Sequence, residues 1–264
     1  MKVFVEGVSL LGPGLNGWMA SSDVLTGKTP YVSAAIAIPV SDLLPSTERR
    51  RIGVPVKLAL ALGAEAMAHA QRNAADVLTV FASSSGDGDN MHHIFTTLAA
   101  NSREVSPTRF HNSVHNAPAG YWSIATRSGV ASTSLSYYDS SFAAGLLEAA
   151  AQAFTCDNAV ALIAYDAPYP QPLHAARSIN SAFGAALVLT KHAGKHSFAA
   201  LELNLSSSKT STTADSLLPP ALLEFNAPAA RALPLLALLA SSTAGKIELN
   251  YGLGQSLHIE VQPC

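Results

Sequence analysis

The chain alternates between short apolar runs and Ala/Leu-rich amphipathic segments along most of its 264 residues. Strands are predicted at Lys2–Val8, Ala75–Ala82 and Asn158–Tyr165. The last two are almost wholly apolar, which is typical of strands buried on both faces. Helical patterns at Pro55–Asn73 and after Ser140 separate them. Strands that alternate with helices in this way indicate an α/β fold with a layered sheet.

The C-terminal third adds an antiparallel component to this pattern. Ala182–Lys191 and Ser197–Leu205 are predicted to be paired strands joined by a turn at His192–His196. Two further strands, Lys246–Asn250 and Ser256–Gln262, close the chain. The remaining predicted elements are helices at Asn16–Leu25, Met91–Asn101, Leu217–Glu224 and Ala229–Leu239, with a Ser/Thr-rich linker at Ser206–Ser216.

The most informative stretch of the sequence is Phe110–Ala150. An amphipathic segment, Asn112–Thr126, leads to a run of β-branched and small residues, Val130–Ser136, and then to a polar elbow, Tyr137–Ser141. A strand that turns sharply into a helix is a common place for a nucleophile, because the helix N-terminus stabilises negative charge. Here the elbow offers Asp139, a carboxylate that cannot perform thiol chemistry.

Composition narrows the classes of protein that fit. Apolar residues make up 48% and charged residues 13% of the chain, which is a poor surface for a solitary protein and favours a buried protein interface. There is no apolar run of about 18 residues, so no membrane-spanning helix is expected. The net charge of −2 gives no reason to expect nucleic acid. Two cysteines and no signal-peptide pattern favour the cytoplasm.

Several segments resemble the β-ketoacyl synthases of the thiolase superfamily. They are Gly12-Pro13-Gly14 after the first strand, the cluster Arg49–Arg51 before the long helix, VLTVFASSSGDG at 77–88, Asn116–Gly120, Ser181–Leu189 and the closing loop Asn250–Gly254. The resemblance implies a single domain with a thiolase-like layered fold (α-β-α-β-α). It also implies a complete N-terminal half over residues 1–165 and a shortened C-terminal part over 166–264.

The same resemblance implies a lost active site. It places Asp139 where the family has its nucleophilic cysteine, and Gln255-Ser256-Leu257 where the last catalytic histidine would follow the closing loop. We therefore expect an inactive chain, in which Asp139 is structural and caps the N-terminus of the following helix.

Two motifs, His111–Trp122 and Ser140–Gly145, resemble the short chain length factors of aryl polyene gene clusters. Membership of that group implies a non-catalytic subunit that pairs with an active β-ketoacyl-ACP synthase. The pair elongates an acyl chain on acyl carrier protein, and the non-catalytic subunit helps to set product length. No cofactor and no metal are expected.

The resemblance also implies the roles of individual residues. In this superfamily the strand before the nucleophile pairs with its mate across a two-fold axis. The expected dimer interface is Asn112, Asn116, Val130, Ser132, Thr133, Ser134, Leu135 and Ser136. The expected wall or gate of the acyl tunnel is Phe110, His115, Tyr121, Trp122 and Tyr138.

Three other interpretations remain open. An acyl hydrolase or transferase working through a serine is one, although the sequence has no Gly-x-Ser-x-Gly motif. A homodimeric module that binds acyl carrier protein through Arg49–Arg51 is another. His111 and His115 have the spacing of two metal ligands, but no third ligand is placed to complete a site.

Overall fold

The computed structural model describes residues 1–101, 103–207 and 218–264. The helices within these residues are α1 (Trp18–Leu25), α2 (Ser46–Arg49), α3 (Val54–Ala70), α4 (Gly88–Ala99), α5 (Pro107–His111), α6 (Ala117–Thr126), α7 (Ser141–Cys156), α8 (Leu173–Ala176) and α9 (Leu233–Ser241). The strands are β1 (Lys2–Gly12), β2 (Leu15–Asn16), β3 (Leu78–Ala82), β4 (Ser132–Leu135), β5 (Val160–Asp166), β6 (Phe183–Thr190), β7 (Ala199–Ser206), β8 (Gly245–Gly252) and β9 (Gln255–Pro263). The predicted α/β fold is confirmed.

The described strands form one mixed sheet in the order β4-β3-β5-β6-β1-β7-β9-β8, with β2 paired to β1. Strands β4, β3 and β5 are parallel, and the other pairs are antiparallel. The predicted pairing of the two strands around His192–His196 is wrong. Strand β1 lies between β6 and β7 and pairs with both, and nearly all of its residues are buried, as in a central strand covered on both faces.

Helices cover both faces of the sheet. Helices α3 and α6 pack on one face around Phe81, Ile163 and Trp122, while α7 and α9 pack on the other around Leu162 and Leu187. Helix α3 is apolar nearly all round, as a helix in a core must be, and ends at Gln71 in the left-handed conformation.

The C-terminal helical predictions are only partly met. In place of the predicted helix Ala229–Leu239, the structure has a short 3₁₀ turn, Pro228–Ala232, followed by α9. Pro234 lies in the first turn of α9, where a proline is tolerated. The predicted helix Leu217–Glu224 is reduced to a 3₁₀ turn at Pro220–Glu224, and Leu217 lies outside the described residues. Most of the predicted linker Ser206–Ser216 also lies outside them.

Strand β4 is the edge of the sheet, with β3 as its neighbour. The carbonyls of Ala131 and Leu135 accept hydrogen bonds from β3 and the residue that follows it. Because backbone groups of successive residues in a strand point to opposite sides, those of Ser132 and Ser134 face away from the sheet. In the described part of the chain, no helix is both long and apolar enough to cross a membrane.

A matched pair of glycines tests the packing of α3 against α6. An added Cβ at Gly63 would lie 2.5 Å from Cζ3 of the buried Trp122, whereas one at Gly120 would meet nothing within 4 Å. We expect Gly63→Ala to lower the free energy of unfolding by about 1–3 kcal/mol. Gly120→Ala, also within a helix, should raise it by up to about 1 kcal/mol. Urea denaturation measures both, and equal effects would contradict the packing described.

Candidate functional site

The elbow between β4 and α7 is held in a specific backbone conformation. Tyr138 has φ 49°, in the left-handed region that bulky residues rarely occupy. The Ser141 hydroxyl fixes the turn, because it accepts a hydrogen bond from the Tyr137 N–H at 2.9 Å and donates one to the Tyr138 carbonyl at 2.7 Å. Such an unfavourable conformation persists only where the surrounding structure imposes it.

Asp139 is held by two arginines. Its Oδ1 lies 2.7 Å from Nη2 of Arg177, and its Oδ2 lies 3.7 Å from Nη2 of Arg231. The Arg177 guanidinium also stacks on the Tyr138 ring, 3.7 Å from its centroid. The expected capping role of Asp139 is wrong: Ser140 is the N-cap residue of α7, and no side-chain hydrogen bond caps the helix. The carboxylate is instead neutralised by guanidinium groups.

The closing loop, Asn250–Gly254, reaches the elbow. The rings of Tyr137 and Tyr251 lie 5.3 Å apart, and a Cβ on Gly252 would lie 3.3 Å from the Tyr137 hydroxyl. Gly252 has φ 94°, a conformation for which glycine is suited. The loop between β8 and β9 therefore packs against the first turn before α7.

Neither cysteine is near this elbow. Cys156 is the last residue of α7, a helix of 16 residues, so it lies about 24 Å away along the axis. Cys264 follows β9, whose other end meets the closing loop beside the elbow. A cysteine nucleophile therefore cannot act at this position.

A buried carboxylate organises the carboxyl ends of β3 and β5. Asp166 is 1% exposed, and it accepts hydrogen bonds from the N–H and hydroxyl of Ser84 at 2.8 and 2.7 Å and from the N–H of Ala229 at 2.8 Å. Burial raises the pKa of the Asp166 carboxyl above its usual value, and these hydrogen bonds oppose the rise. This group joins two strand ends to the 3₁₀ turn that carries Arg231.

The serines near Asp166 do not form a hydrolase site. His115 Nε2 lies 3.1 Å from the backbone carbonyl of Ser83, and Asp166 bonds Ser84 directly with no imidazole between them. Among the hydrogen bonds of the described residues, none joins a histidine ring to a serine hydroxyl. A serine nucleophile needs such a base within hydrogen-bond reach. The described residues also contain no group of three side chains able to hold a metal ion.

The predicted tunnel residues divide into exposed and buried ones. Phe110 and Tyr138 are 68% and 65% exposed. Tyr121 is buried and donates a hydrogen bond from its hydroxyl to Asn112 Oδ1 at 3.0 Å. Trp122 is fully buried against α3, so in the free chain it belongs to the core.

A small apolar groove lies on α5 and α6, and α6 contacts the edge strand β4. It has a volume of about 460 Å³, and its lining includes Phe110, Val114, Tyr121 and Ile124 from α5, α6 and the turn between them. Phe110, Val114 and Ile124 are more than half exposed. Of the predicted interface residues, Ser132, Ser136 and Asn116 are exposed; Val130, Thr133, Ser134 and Leu135 are half-buried, and Asn112 is buried.

Sequence reasoning missed Arg177, Arg231, Ser84 and Asp166. Asp166 could have been found from its position at the end of an apolar strand, since a buried charge there needs partners. The arginines follow loops and give no comparable signal.

Comparison with protein families assigns the chain to a class. Residues 24–246 match the model described as the N-terminal domain of β-ketoacyl synthase. The chain belongs to this family, and its fold is thiolase-like. Sequence comparison with curated proteins found no significant match.

Solved structures similar to this chain come from ketosynthase complexes. One is the ketosynthase ApeO in complex with its chain length factor ApeC from Xenorhabdus doucetiae, at TM-score 0.74 and 20% identity over 98% of this chain and 99% of that one. A second is the ishigamide ketosynthase/chain length factor, at TM-score 0.74 and 14% identity over 100% and 99%. A third is AntDE:AntF, a type II polyketide synthase acyl carrier protein with its hexaketide-bound ketosynthase, at 0.75 and 11% over 100% and 99%. At these identities the likeness establishes the fold.

The pH dependence of stability tests the burial of Asp166. Because its folded-state pKa is raised, its contribution is fully present below the unfolded pKa of about 3.9 and is lost as pH rises through the folded pKa. We expect Asp166→Asn to be less stable than the natural chain at every pH, because the amide N–H₂ would face backbone N–H donors and could not accept their hydrogen bonds. The deficit of Asp166→Asn in the free energy of unfolding should shrink as the pH rises from about 3.9 through the raised folded-state pKa of Asp166. Chemical denaturation across that range measures this, and a deficit that grows with pH would contradict the raised pKa.

Proposed function

We propose that this chain is a non-catalytic chain length factor that forms a heterodimer with an active β-ketoacyl-ACP synthase. In this proposal the partner supplies the catalytic residues and elongates an acyl chain carried on acyl carrier protein, in aryl polyene or related biosynthesis. The observation that carries the proposal is the edge of β4, which among the described strands pairs only with β3, together with the exposed apolar groove on α5 and α6. A sheet edge left open in this way is a ready template for pairing with another chain.

The ion pairs at the elbow support the proposal that this chain is not catalytic. Asp139 stands where the resemblance puts the nucleophilic cysteine, and its carboxylate forms ion pairs with Arg177 and Arg231. A carboxylate paired with guanidinium groups is a poor nucleophile, because its lone pairs are engaged and its charge is neutralised. The similar structures from ketosynthase and chain length factor complexes support a partner subunit of this kind.

A proline in β4 tests the heterodimer. Ser134 directs its N–H to the free edge, so Ser134→Pro removes a donor that β3 does not use and leaves the chain's own sheet intact. We expect this variant to weaken the complex with its cognate ketosynthase by about fivefold to a hundredfold, since each hydrogen bond lost from a desolvated interface costs about 1–3 kcal/mol.

The matched control is Ser134→Val, which keeps the backbone donor. Both variants are co-expressed with the ketosynthase and compared by size-exclusion chromatography with mass detection and by affinity titration. Equal assembly of the two variants would remove β4 pairing from the proposal. A natural chain that remains a well-behaved homodimer and ignores the ketosynthase would instead favour a homodimeric carrier-binding module.

The apolar groove is proposed as this chain's share of the acyl tunnel. Phe110 lies exposed at the groove and Tyr121 lies buried beneath it, while Tyr138 is exposed at the elbow. In a tunnel formed by both subunits, a large ring at the end limits how far the growing chain can extend. We therefore propose Phe110 as a gate, with Tyr138, Tyr121 and His115 as further parts of the wall.

Removing the Phe110 ring tests this gate. We expect Phe110→Ala, assembled with the ketosynthase, to shift products to longer chains, because the tunnel gains the volume of an aromatic ring. Phe154→Ala is the control, since Phe154 is 45% exposed but lies near the far end of α7. Mass spectrometry of the carrier-bound products gives the readout. An unchanged length distribution in an intact complex would exclude Phe110 as the gate.

A further inference from the structure

A cavity of about 910 Å³ lies outside the elbow and has no part in the function proposed above. Its wall includes Pro13 after β1, Asp87 and Gly88 after β3, and Ala167–Pro170 after β5. These strands run in the same direction, so the cavity lies at their shared carboxyl edge. Ligands of α/β sheets bind at this edge, and the volume suits a small organic molecule.

Three cationic side chains from separate segments line this cavity: Arg51 before α3, Lys57 in the first turns of α3, and Arg109 in α5. Within the part of the chain that the structure describes, neither Lys57 nor Arg109 forms an ion pair. Arg51 pairs with Glu48 at 3.1 Å, but both side chains are exposed and such a pair contributes little. The cavity therefore offers cationic charge to an anionic ligand, although Asp87 partly offsets the charge of Arg109.

Buried amides fix the backbone at the two arginines. Asn112 Nδ2 donates to the Arg51 carbonyl at 2.9 Å, and Asn90 Nδ2 donates to the Arg109 carbonyl at 2.8 Å. Both asparagines are more than nine-tenths buried, at 6% and 7% exposed. Burial of an amide is favourable only when it is hydrogen-bonded, so these bonds hold the two segments in place. A site whose segments are already ordered loses less entropy when it binds.

The acidic groups of the cavity do not cancel this charge. A Cβ at Gly53 would overlap the Asp87 carboxylate, so that group lies at the positive end of α3, which offsets its charge. Burial raises the pKa of the Asp87 carboxyl, and the N–H of Asn90 donates to its Oδ1 at 3.0 Å. Its Oδ2 packs against Gly53 and accepts no hydrogen bond from the described residues. Asp89 is exposed, and the remaining wall is largely apolar.

These features fit an elongated ligand with a phosphate at one end and amide or hydroxyl donors along an aliphatic arm. We infer that the cavity binds a phosphopantetheine group, with its phosphate on Arg51, Lys57 and Arg109 and an N–H or O–H donor on Asp87. The inference rests on the proposed function, which brings acyl carrier protein and its phosphopantetheine arm to this chain. A free coenzyme A thioester carries the same phosphopantetheine group and is the second possible source of it.

Calorimetric titration of the heterodimer with 4′-phosphopantetheine tests the site. Lys57→Gln and Arg109→Gln should each weaken binding by about tenfold, because each removes a charge-assisted hydrogen bond to phosphate. Lys195→Gln is the control, since Lys195 is exposed and does not line the cavity. Pantetheine without the phosphate should bind weakly to the natural chain and equally to both cavity variants.

To decide whether the arm comes from the carrier protein or from free coenzyme A, we compare the affinities of holo-carrier, apo-carrier and coenzyme A. Tighter binding of holo- than apo-carrier, lost in Lys57→Gln, assigns the carrier as the source. Binding of coenzyme A with no difference between the two carrier forms assigns the free thioester. Absence of 4′-phosphopantetheine binding, or equal affinity in all three variants, overturns the inference even where the heterodimer assembles normally. Failure of the heterodimer to assemble instead counts against the proposed function.

Discussion

The buried carboxylate of Asp166 connects the parts of the molecule on which the proposed function depends. It fixes Ser84, at the end of β3, and Ala229, in the turn that carries Arg231. Arg231 in turn reaches Asp139 at the elbow, and the Ser84 carbonyl accepts a hydrogen bond from Ser136, just after β4. One desolvated acid, satisfied by several donors, thus couples the elbow, the sheet edge and the C-terminal part of the chain.

The elbow and the edge strand have different physical characters, although they adjoin. At the elbow, Asp139 is paired with Arg177, and the Arg177 guanidinium covers the Tyr138 ring. Along β4 the backbone groups of Ser132 and Ser134 face outward. The charged groups of the elbow thus have partners within the chain, whereas the outward backbone groups of β4 are where the proposed second subunit would join.

The sequence predicted most elements but not their arrangement. Apolar runs identified β3 and β5 because burial on both faces leaves a strong local signal. The insertion of β1 between β6 and β7 left no such signal, since periodicity describes exposure and not which strands pair. Likewise, Asp139 could be found from the strand-to-helix pattern, but its ion pair with Arg177 depends on a loop 38 residues away. Trp122 is a similar case, because the sequence alone does not distinguish an aromatic residue of the core from one that lines a tunnel.

The central position of β1 has a consequence for biosynthesis. This strand is made before the other described strands, yet its partners are residues 184–190 and 199–202, so the middle of the sheet cannot close until those residues have been synthesised. Until then the parallel strands β3, β4 and β5 have no neighbour on the β6 side. Folds dominated by such distant pairings form slowly and expose apolar surface meanwhile. Nascent chains are therefore at risk of aggregation before translation is complete.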